Sequence, residues 1–363
     1  MRKLLSIVGA RPQFIKAAIV SKHLRESDGV TEVLVHTGQH YDRAMSDVFF
    51  EELGLDRPRH SLDVSSASHG VQTARMLERL EPVLETEKPD TVLVYGDTNS
   101  TLAGALTAAK LHIPVAHVEA GMRSFNRAMP EEINRVLTDH LAAQNLAPTQ
   151  TAVDNLAHEG ITEGVNLVGD VMYDASVHFG AKAAESSRVL QDNDLSAAGY
   201  VLATLHRAEN TDDPARLKAI VAALAQTAET RPVVLPLHPR TAKQVAALGM
   251  ADALAGITVI EPVGYLDMQA LEHGAALVVT DSGGVQKEAF FHGVPCVTVR
   301  TETEWVELVA CGWNRLANPA DSAAISQAIA DSAGAPPSER PGDLYGGGQA
   351  AARTAAILSG TGG

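Results

Sequence analysis

This sequence predicts an α/β protein built from two Rossmann-type, doubly wound parallel-sheet domains, and three observations lead there. Short apolar, β-branched runs stop on a polar residue just before a turn and alternate with helical stretches, as buried parallel strands and their crossovers do. The alternation runs twice, on either side of a polar stretch at 186–199 (SSRVLQDNDLSAAG). At 363 residues the chain is also longer than one typical domain and suits two of about 170 each. We therefore expect a first domain over 1–170, a second over 171–344, and a terminal helix over 345–363 that returns to the first, with a cleft between the domains.

Leu4–Val8 is the first strand, and Gly9-Ala10-Arg11-Pro12 turns it into a helix. The turn lacks the G-x-G-x-x-G spacing, so a nicotinamide cofactor gains no support. Arg11 and Lys16 stand beside that helix N-terminus, either as surface cations or as partners for an anion drawn to its free N–H groups. Val33–His36 is the second strand and ends in Thr37-Gly38-Gln39-His40; helical patterns follow over 44–53 and 70–87. Val92–Tyr95 then runs into Gly96-Asp97, Ala/Leu-rich 99–111 reads as a helix with Ser100 and Thr101 as cap candidates, and Val115–Val118 ends at Glu119. Asp97 and Glu119 thus belong at the mouth of one crevice. A loop over 121–129 holds Arg123 and Arg127, which could close over a ligand, and Pro130 opens a helix carrying a third acid, Glu131. Strands near 145–146 and 165–168 bring this half to six.

The second half repeats the pattern with strands over 200–205, 232–235, 258–260, 277–280 and 295–299, a helix over 214–228, and His206 and His238 at strand ends. Its most specific motif is Thr280-Asp281-Ser282-Gly283-Gly284-Val285-Gln286-Lys287-Glu288. Adjacent glycines weaken a helix unless the backbone is needed; here they let a diphosphate approach the N–H groups, with Glu288 within reach of ribose hydroxyls.

Composition sets limits. A formal net charge of -15 argues against nucleic acid or an acidic membrane as partner. Cys296 and Cys311 alone, without metal-like spacing, fit a reducing, cytoplasmic setting, and no apolar run approaches the roughly twenty residues of a membrane span. No metal constellation appears, so carboxylates and cations must do the chemistry: acids that remove and return a proton, and Arg11, Lys16, His206 and the 282–284 turn that stabilise a departing diphosphate.

The strings GARPQFIK, GDTNSTLAGAL, HVEAGMRS, MPEEINR, TLHRAEN, LPLHPR and DSGGVQKEA, in this order, resemble the non-hydrolysing UDP-N-acetylhexosamine 2-epimerases over nearly the whole chain. The resemblance implies a GT-B-like fold, usually a homodimer, and elimination of UDP to a 2-acetamidoglycal followed by re-addition, with no cofactor and no metal. It implies Asp97, Glu119 and Glu131 as catalytic acids, His206 as a catalytic residue that also contacts the UDP-sugar, and Arg11, Lys16, Ser282, Gly283, Gly284 and Glu288 as further UDP-sugar contacts. Gln39, His40 and His238 match a second, activating sugar-nucleotide site of some members. Two family arginines are absent: T-T-E-R-P-E reads Thr303-Glu304-Trp305 here, and H-R-R-E-N reads His206-Arg207-Ala208-Glu209-Asn210. The longer strings HTGQH, TEWVELV and LYGGGQA are similar to the subgroup acting on UDP-2,3-diacetamido-2,3-dideoxyglucuronate for lipopolysaccharide O-antigen. That sugar's carboxylate needs a cation, for which Lys287 and Arg127 are candidates. A GT-B glycosyltransferase using a UDP-sugar, or a sugar-nucleotide-binding regulator without turnover, are the alternatives.

Overall fold

A computed structural model of the chain describes residues 1–39, 50, 52–334, 337, 339–342 and 344–360. The chain forms two compact units, Met1–Ala175 with Gly342–Gly363, and Ser176–Pro341. The division falls inside a continuous helix, Val171–Ser186, rather than at a linker.

The first unit holds β1 (Arg2–Val8), β2 (Val30–His36), β3 (His60–Ser61), β4 (Thr91–Tyr95), β5 (Val115–Val118), β6 (Gln144–Ala147) and β7 (Val165–Leu167), in the order β3-β2-β1-β4-β5-β6-β7. Every pairing is parallel, with Val8 opposite His36 and Tyr95 opposite Val118. Leu5, Ile7, Val92 and Val94 pack with Met76, Leu80 and Leu84 of helix His69–Glu87 and with the alanines of helix Asn99–Lys110. The side chains of those strands are apolar on both faces because helices cover both faces of such a sheet.

The second unit holds β8 (Val201–Thr204), β9 (Val233–Pro236), β10 (Thr258–Ile260), β11 (Leu277–Thr280), β12 (Cys296–Thr298) and β13 (Asn314–Leu316), in the order β10-β9-β8-β11-β12-β13, again all parallel. Its sheet lies between one cluster around Leu217, Leu224 and Ile325 and another around Tyr200, Leu271 and Ala289. In each unit the strand order reverses once, between β1 and β4 and between β8 and β11. These are the switch points beyond whose carboxyl ends open α/β sheets bind ligands.

Two details differ from the sequence reading. β3 and β13 are extra strands, two and three residues long, whose polar content gives no apolar run to detect. The cap of helix Asn99–Lys110 is Thr98 rather than Ser100 or Thr101: Thr98 is still extended and its side chain accepts from Thr101 N–H, while the Thr101 hydroxyl reaches the Tyr95 carbonyl at 2.7 Å. Most of the helical pattern at 44–53, all but residues 50, 52 and 53, lies outside the described residues, as does His40.

The last helix, Ala350–Ser359, is held at both ends. Asp174 accepts from Ala350 N–H (3.2 Å) and Ala351 N–H (2.7 Å), and Arg2 donates to the Leu358 carbonyl (2.9 Å). An acid at the N-terminus and a cation at the C-terminus match the helix dipole. We predict that Asp174→Ala lowers stability by about 1–2 kcal/mol and weakens amide-exchange protection over 350–359. Unaltered melting and protection would discount the cap.

Candidate active site

The first unit's switch point carries most of the predicted acids and cations. Gly9 follows β1, and a Cβ there would lie 2.1 Å from Ser100 Oγ and 2.2 Å from Thr37 Oγ1, so only glycine fits beneath the start of the next helix. Arg11 is exposed at the first position of helix Arg11–Arg25. One turn on, Lys16 is buried and its ammonium is hydrogen-bonded to Glu119 Oε2. Gly96 follows β4 at φ +61, and a Cβ on it would lie 3.2 Å from Glu119 Oε2 and 3.4 Å from Lys16 Nζ. Asp97, the next residue, is therefore carried beside the Lys16–Glu119 pair.

Glu119 has φ +72, a left-handed conformation uncommon outside glycine, and its N–H and that of Ala120 both donate to the Leu146 carbonyl (3.1 and 3.2 Å). The backbone strain is located at a predicted catalytic acid, where strain tends to cluster. Asp97 keeps about a third of its side chain exposed and pairs with Arg135 Nη2 at 2.6 Å. Glu131 is partly exposed in the first turn of helix Pro130–Leu141, and among the described residues it makes no hydrogen bond or ion pair. Gln39 Oε1 accepts from the N–H and hydroxyl of Ser100 (3.0 and 2.7 Å), which ties it to the start of helix Asn99–Lys110.

Beneath these groups lies a layer the sequence reading passed over. His117 is fully buried on β5; its Nδ1 donates to Asp139 Oδ1 (2.6 Å) and its Nε2 to the Gly96 carbonyl (2.7 Å). Both partners are acceptors, so both ring nitrogens act as donors. Asp139 Oδ2 accepts from Gly121 N–H (3.1 Å) and Arg123 Nη1 (2.7 Å). Burial alone would raise the Asp139 pKa, but His117 and Arg123 outweigh it and hold the carboxyl below its usual range. Arg123 is thus a correction: it does not close over a ligand but is buried between Asp139 and a bidentate pairing with Glu159 (2.7 Å each). Its fork satisfies carboxylates that would otherwise be stranded. The signal was present in HVEAGMRS, where His117 and Arg123 flank the turn.

In the second unit, Asp281 at the end of β11 is fully buried. It accepts from the N–H groups of His206 (3.2 Å) and Arg207 (3.0 Å) and from Asn210 Nδ2 (3.3 Å), and its Oδ1 is 3.2 Å from His206 Nδ1. Burial pushes its pKa up, but His206 and the two N–H groups more than reverse that and leave it lowered. The predicted His206 is consequently joined to the Ser282 turn through Asp281. Ser282 caps helix Gly283–Phe291, accepting from Val285 N–H at 3.4 Å. A Cβ on Gly284 would be 3.8 Å from both Glu288 Oε2 and Ser282 Oγ, and Glu288 also accepts from Gln269 Nε2 at 3.1 Å. Ser282, Gly283, Gly284 and Glu288 therefore share one helix end. His238 stands apart, exposed and capping helix Pro239–Ala247 through Arg240 N–H at 3.3 Å.

Lys287 is buried with its ammonium 3.7 Å from the centroid of the Trp305 ring. Trp305 stands where the family arginine is absent and is itself buried, so Lys287 is committed to an aromatic face and is a poor candidate for a sugar carboxylate. Glu304, next to it, pairs with Arg300 at 2.9 Å. Among the described residues no group of three or more His, Cys, Asp or Glu could hold a metal ion, and no helix is long and apolar enough to cross a membrane.

Two Rossmann-like parallel-sheet units, one with acids and cations at its switch point and the other with a glycine-opened helix end, define a nucleotide-sugar class of α/β protein. The family model described as UDP-N-acetylglucosamine 2-epimerase matches residues 22–359, and the chain belongs to that family. It is 53% identical over 361 residues to the UDP-2,3-diacetamido-2,3-dideoxy-D-glucuronate 2-epimerase of Pseudomonas aeruginosa, covering 98% of this chain and 99% of the relative. The Methanocaldococcus jannaschii UDP-GlcNAc 2-epimerase, solved with UDP-GlcNAc and UDP, is 42% identical with a TM-score of 0.90 over 98% of this chain and 99% of its own. The Neisseria meningitidis UDP-GlcNAc 2-epimerase bound to UDP-GlcNAc is 29% identical with a TM-score of 0.85 over 99% of both chains.

We predict that Asp139→Asn destabilises the protein by about 3–5 kcal/mol, because it leaves buried His117 without its carboxylate and Arg123 with Glu159 as its one remaining carboxylate among those described. Since the folded-state pKa of Asp139 is depressed, its contribution is present above the unfolded value of about 3.9 and is lost as pH falls through the lower folded value. The gap between the melting temperatures of wild type and Asp139→Asn should therefore be full above about pH 4 and narrow as pH falls from there through the lower folded value.

Proposed function

We propose that this protein is a non-hydrolysing 2-epimerase of a UDP-activated 2-acetamido sugar. UDP-2,3-diacetamido-2,3-dideoxyglucuronate is the first-choice substrate and UDP-N-acetylglucosamine the second. The observation that carries the reading is the carboxylate set at one switch point: Glu119 on Lys16, Asp97 on Arg135, and Glu131 with no partner among the described residues. In the reaction one carboxylate takes the C2 proton while the anomeric C1–O bond breaks, its electron pair leaving on the diphosphate. The C1=C2 glycal is then protonated at C2 from the other face as a diphosphate oxygen returns to C1. On this reading the Gly283–Gly284 helix end of the second unit takes the diphosphate with His206 beside it and Glu288 takes the ribose, while the first unit supplies Arg11, Lys16 and the carboxylates.

The same reading takes the protein as a cytoplasmic homodimer serving bacterial surface polysaccharide synthesis, and takes Gln39, His40 and His238, by their motifs alone, as contacts of a second, activating nucleotide sugar. The relative from Pseudomonas aeruginosa supports the uronate as first choice. Of the two candidate cations for its C6 carboxylate, Arg127 carries the reading, being exposed and without a partner among the described residues. Arg127→Met should raise KM for the diacetamido-uronate about tenfold and leave KM for UDP-N-acetylglucosamine unchanged; an equal rise for both would remove the assignment.

Asp97→Asn, Glu119→Gln and Glu131→Gln should each reduce turnover at least about a hundredfold. Incubation in D₂O with each UDP-sugar, followed by NMR, should give deuterium at C2 together with the gluco-to-manno change. Full activity in all three acid variants would return the chain to the glycosyltransferase alternative, and binding with no C2 exchange for any UDP-sugar would favour the silent regulator.

A further inference from the structure

Arg135 was absent from the site read in the sequence, yet it holds the network of the first unit together. Its side chain is 6% exposed. Nη2 donates to Asp97 Oδ2 at 2.6 Å and Nη1 to Glu132 Oε2 at 2.9 Å. Glu132, almost fully buried, accepts from Ser124 N–H (2.9 Å), Ser124 Oγ (3.1 Å) and Phe125 N–H (2.9 Å). Phe125 adopts φ +59, a conformation a bulky residue leaves unless it is held. The residue before Arg135, Asn134, donates to the Asp97 carbonyl at 2.9 Å and to Asn99 Oδ1 at 3.2 Å. One helix thereby grips both the backbone and the carboxylate of Asp97 and, through Glu132, the turn at 124–125.

We propose that Arg135 is a positioning residue for Asp97: its guanidinium fork aims the carboxylate and couples that aim to the conformation of the Ser124–Phe125 turn. The inference rests on the reading of Asp97 as a proton-handling acid. A guanidinium is needed rather than any cation, because two carboxylates on different segments are met by two N–H groups held in one plane. A lysine supplies the charge but only one point of attachment. The orientation of Asp97 matters because a proton transfer loses rate steeply when the acceptor is displaced by a fraction of an ångström.

The test is a double-mutant cycle on Asp97→Asn, Arg135→Met and the double variant, with Arg135→Lys alongside. Epimerisation kinetics, C2 deuterium incorporation and melting temperature are measured for each. Arg135→Met should lower kcat about a hundredfold with KM within about threefold of wild type, the loss falling on the chemical step. In the Asp97→Asn background the same change should cost less than about threefold, a coupling of at least about thirtyfold or about 2 kcal/mol. Arg135→Lys should melt close to wild type and still lose about thirtyfold in kcat; it replaces Arg135→Met in the cycle if that variant does not fold. Losses that multiply in the double variant, or wild-type kcat in Arg135→Lys, overturn the proposal. Wild-type protein that exchanges no deuterium into any UDP-sugar overturns the epimerase reading and this inference with it, whereas an exchanging wild type with multiplicative losses overturns only the role of Arg135.

Discussion

A carboxylate removed from water and kept charged underlies each half of this protein. Asp139 in one unit and Asp281 in the other are both essentially inaccessible, and both have pKa values below the usual range despite the opposing effect of burial. Desolvating an ion costs several kcal/mol, so such groups persist only where hydrogen bonds and opposite charge meet most of their lone pairs. Each does this with a histidine and backbone N–H groups. Asp139 takes His117, Arg123 and Gly121 N–H; Asp281 takes His206, Asn210 and the N–H groups of His206 and Arg207. The satisfied backbone groups belong to the turns that follow β5 and β8, on the carboxyl edge of each sheet. The N–H groups of Gly121, His206 and Arg207 lie past the last ladder bonds of those strands, and the buried acid accepts from them instead.

The difference between the two acids lies in what the histidine does next. His117 passes its second hydrogen bond to the Gly96 carbonyl, so the buried charge fixes the backbone immediately before Asp97. His206 is about half exposed, with its other nitrogen available at the surface of the second unit. One buried acid therefore steadies a neighbouring chain segment, and the other steadies an imidazole that faces outward.

The parallel sheets were legible because their strands are apolar on both faces, and a period-free run such as Val92-Leu93-Val94 admits no other reading between two turn signals. β3 and β13 escaped because a two- or three-residue edge strand with one buried face carries no run at all. Among the candidate site residues, Asp97 and Glu119 were legible for a topological reason, being the first polar residues after buried strands, and Ser282 follows Asp281 in the same kind of turn after β11. Their supports were not. Asp139, Arg135 and Glu132 lie on helix Pro130–Leu141, where polar residues at every face look like ordinary solvated positions, and only the sheet edge they lean against turns them inward. Arg123 misled for the converse reason, since an arginine in a glycine-flanked loop looks exposed until a second acid, Glu159, arrives from another helix.

Strain separates the two units further. Glu119 and Phe125 are the described non-glycine residues at positive φ in or beside the candidate site, and both belong to the acid-bearing unit; none adjoins the Ser282–Glu288 helix end. The asymmetry follows from what each kind of recognition demands. A diphosphate is met by N–H groups that any helix N-terminus leaves free, so a glycine pair and a serine cap suffice without distorting the chain. A carboxylate that must meet a particular carbon has no such ready-made device. Its backbone has to be bent to the direction required and then clamped, as the Leu146 carbonyl clamps Glu119 and Glu132 clamps Phe125. On the proposed reading, the unit that holds the diphosphate can remain relaxed, while the unit that moves a proton has to be held against its own preferences.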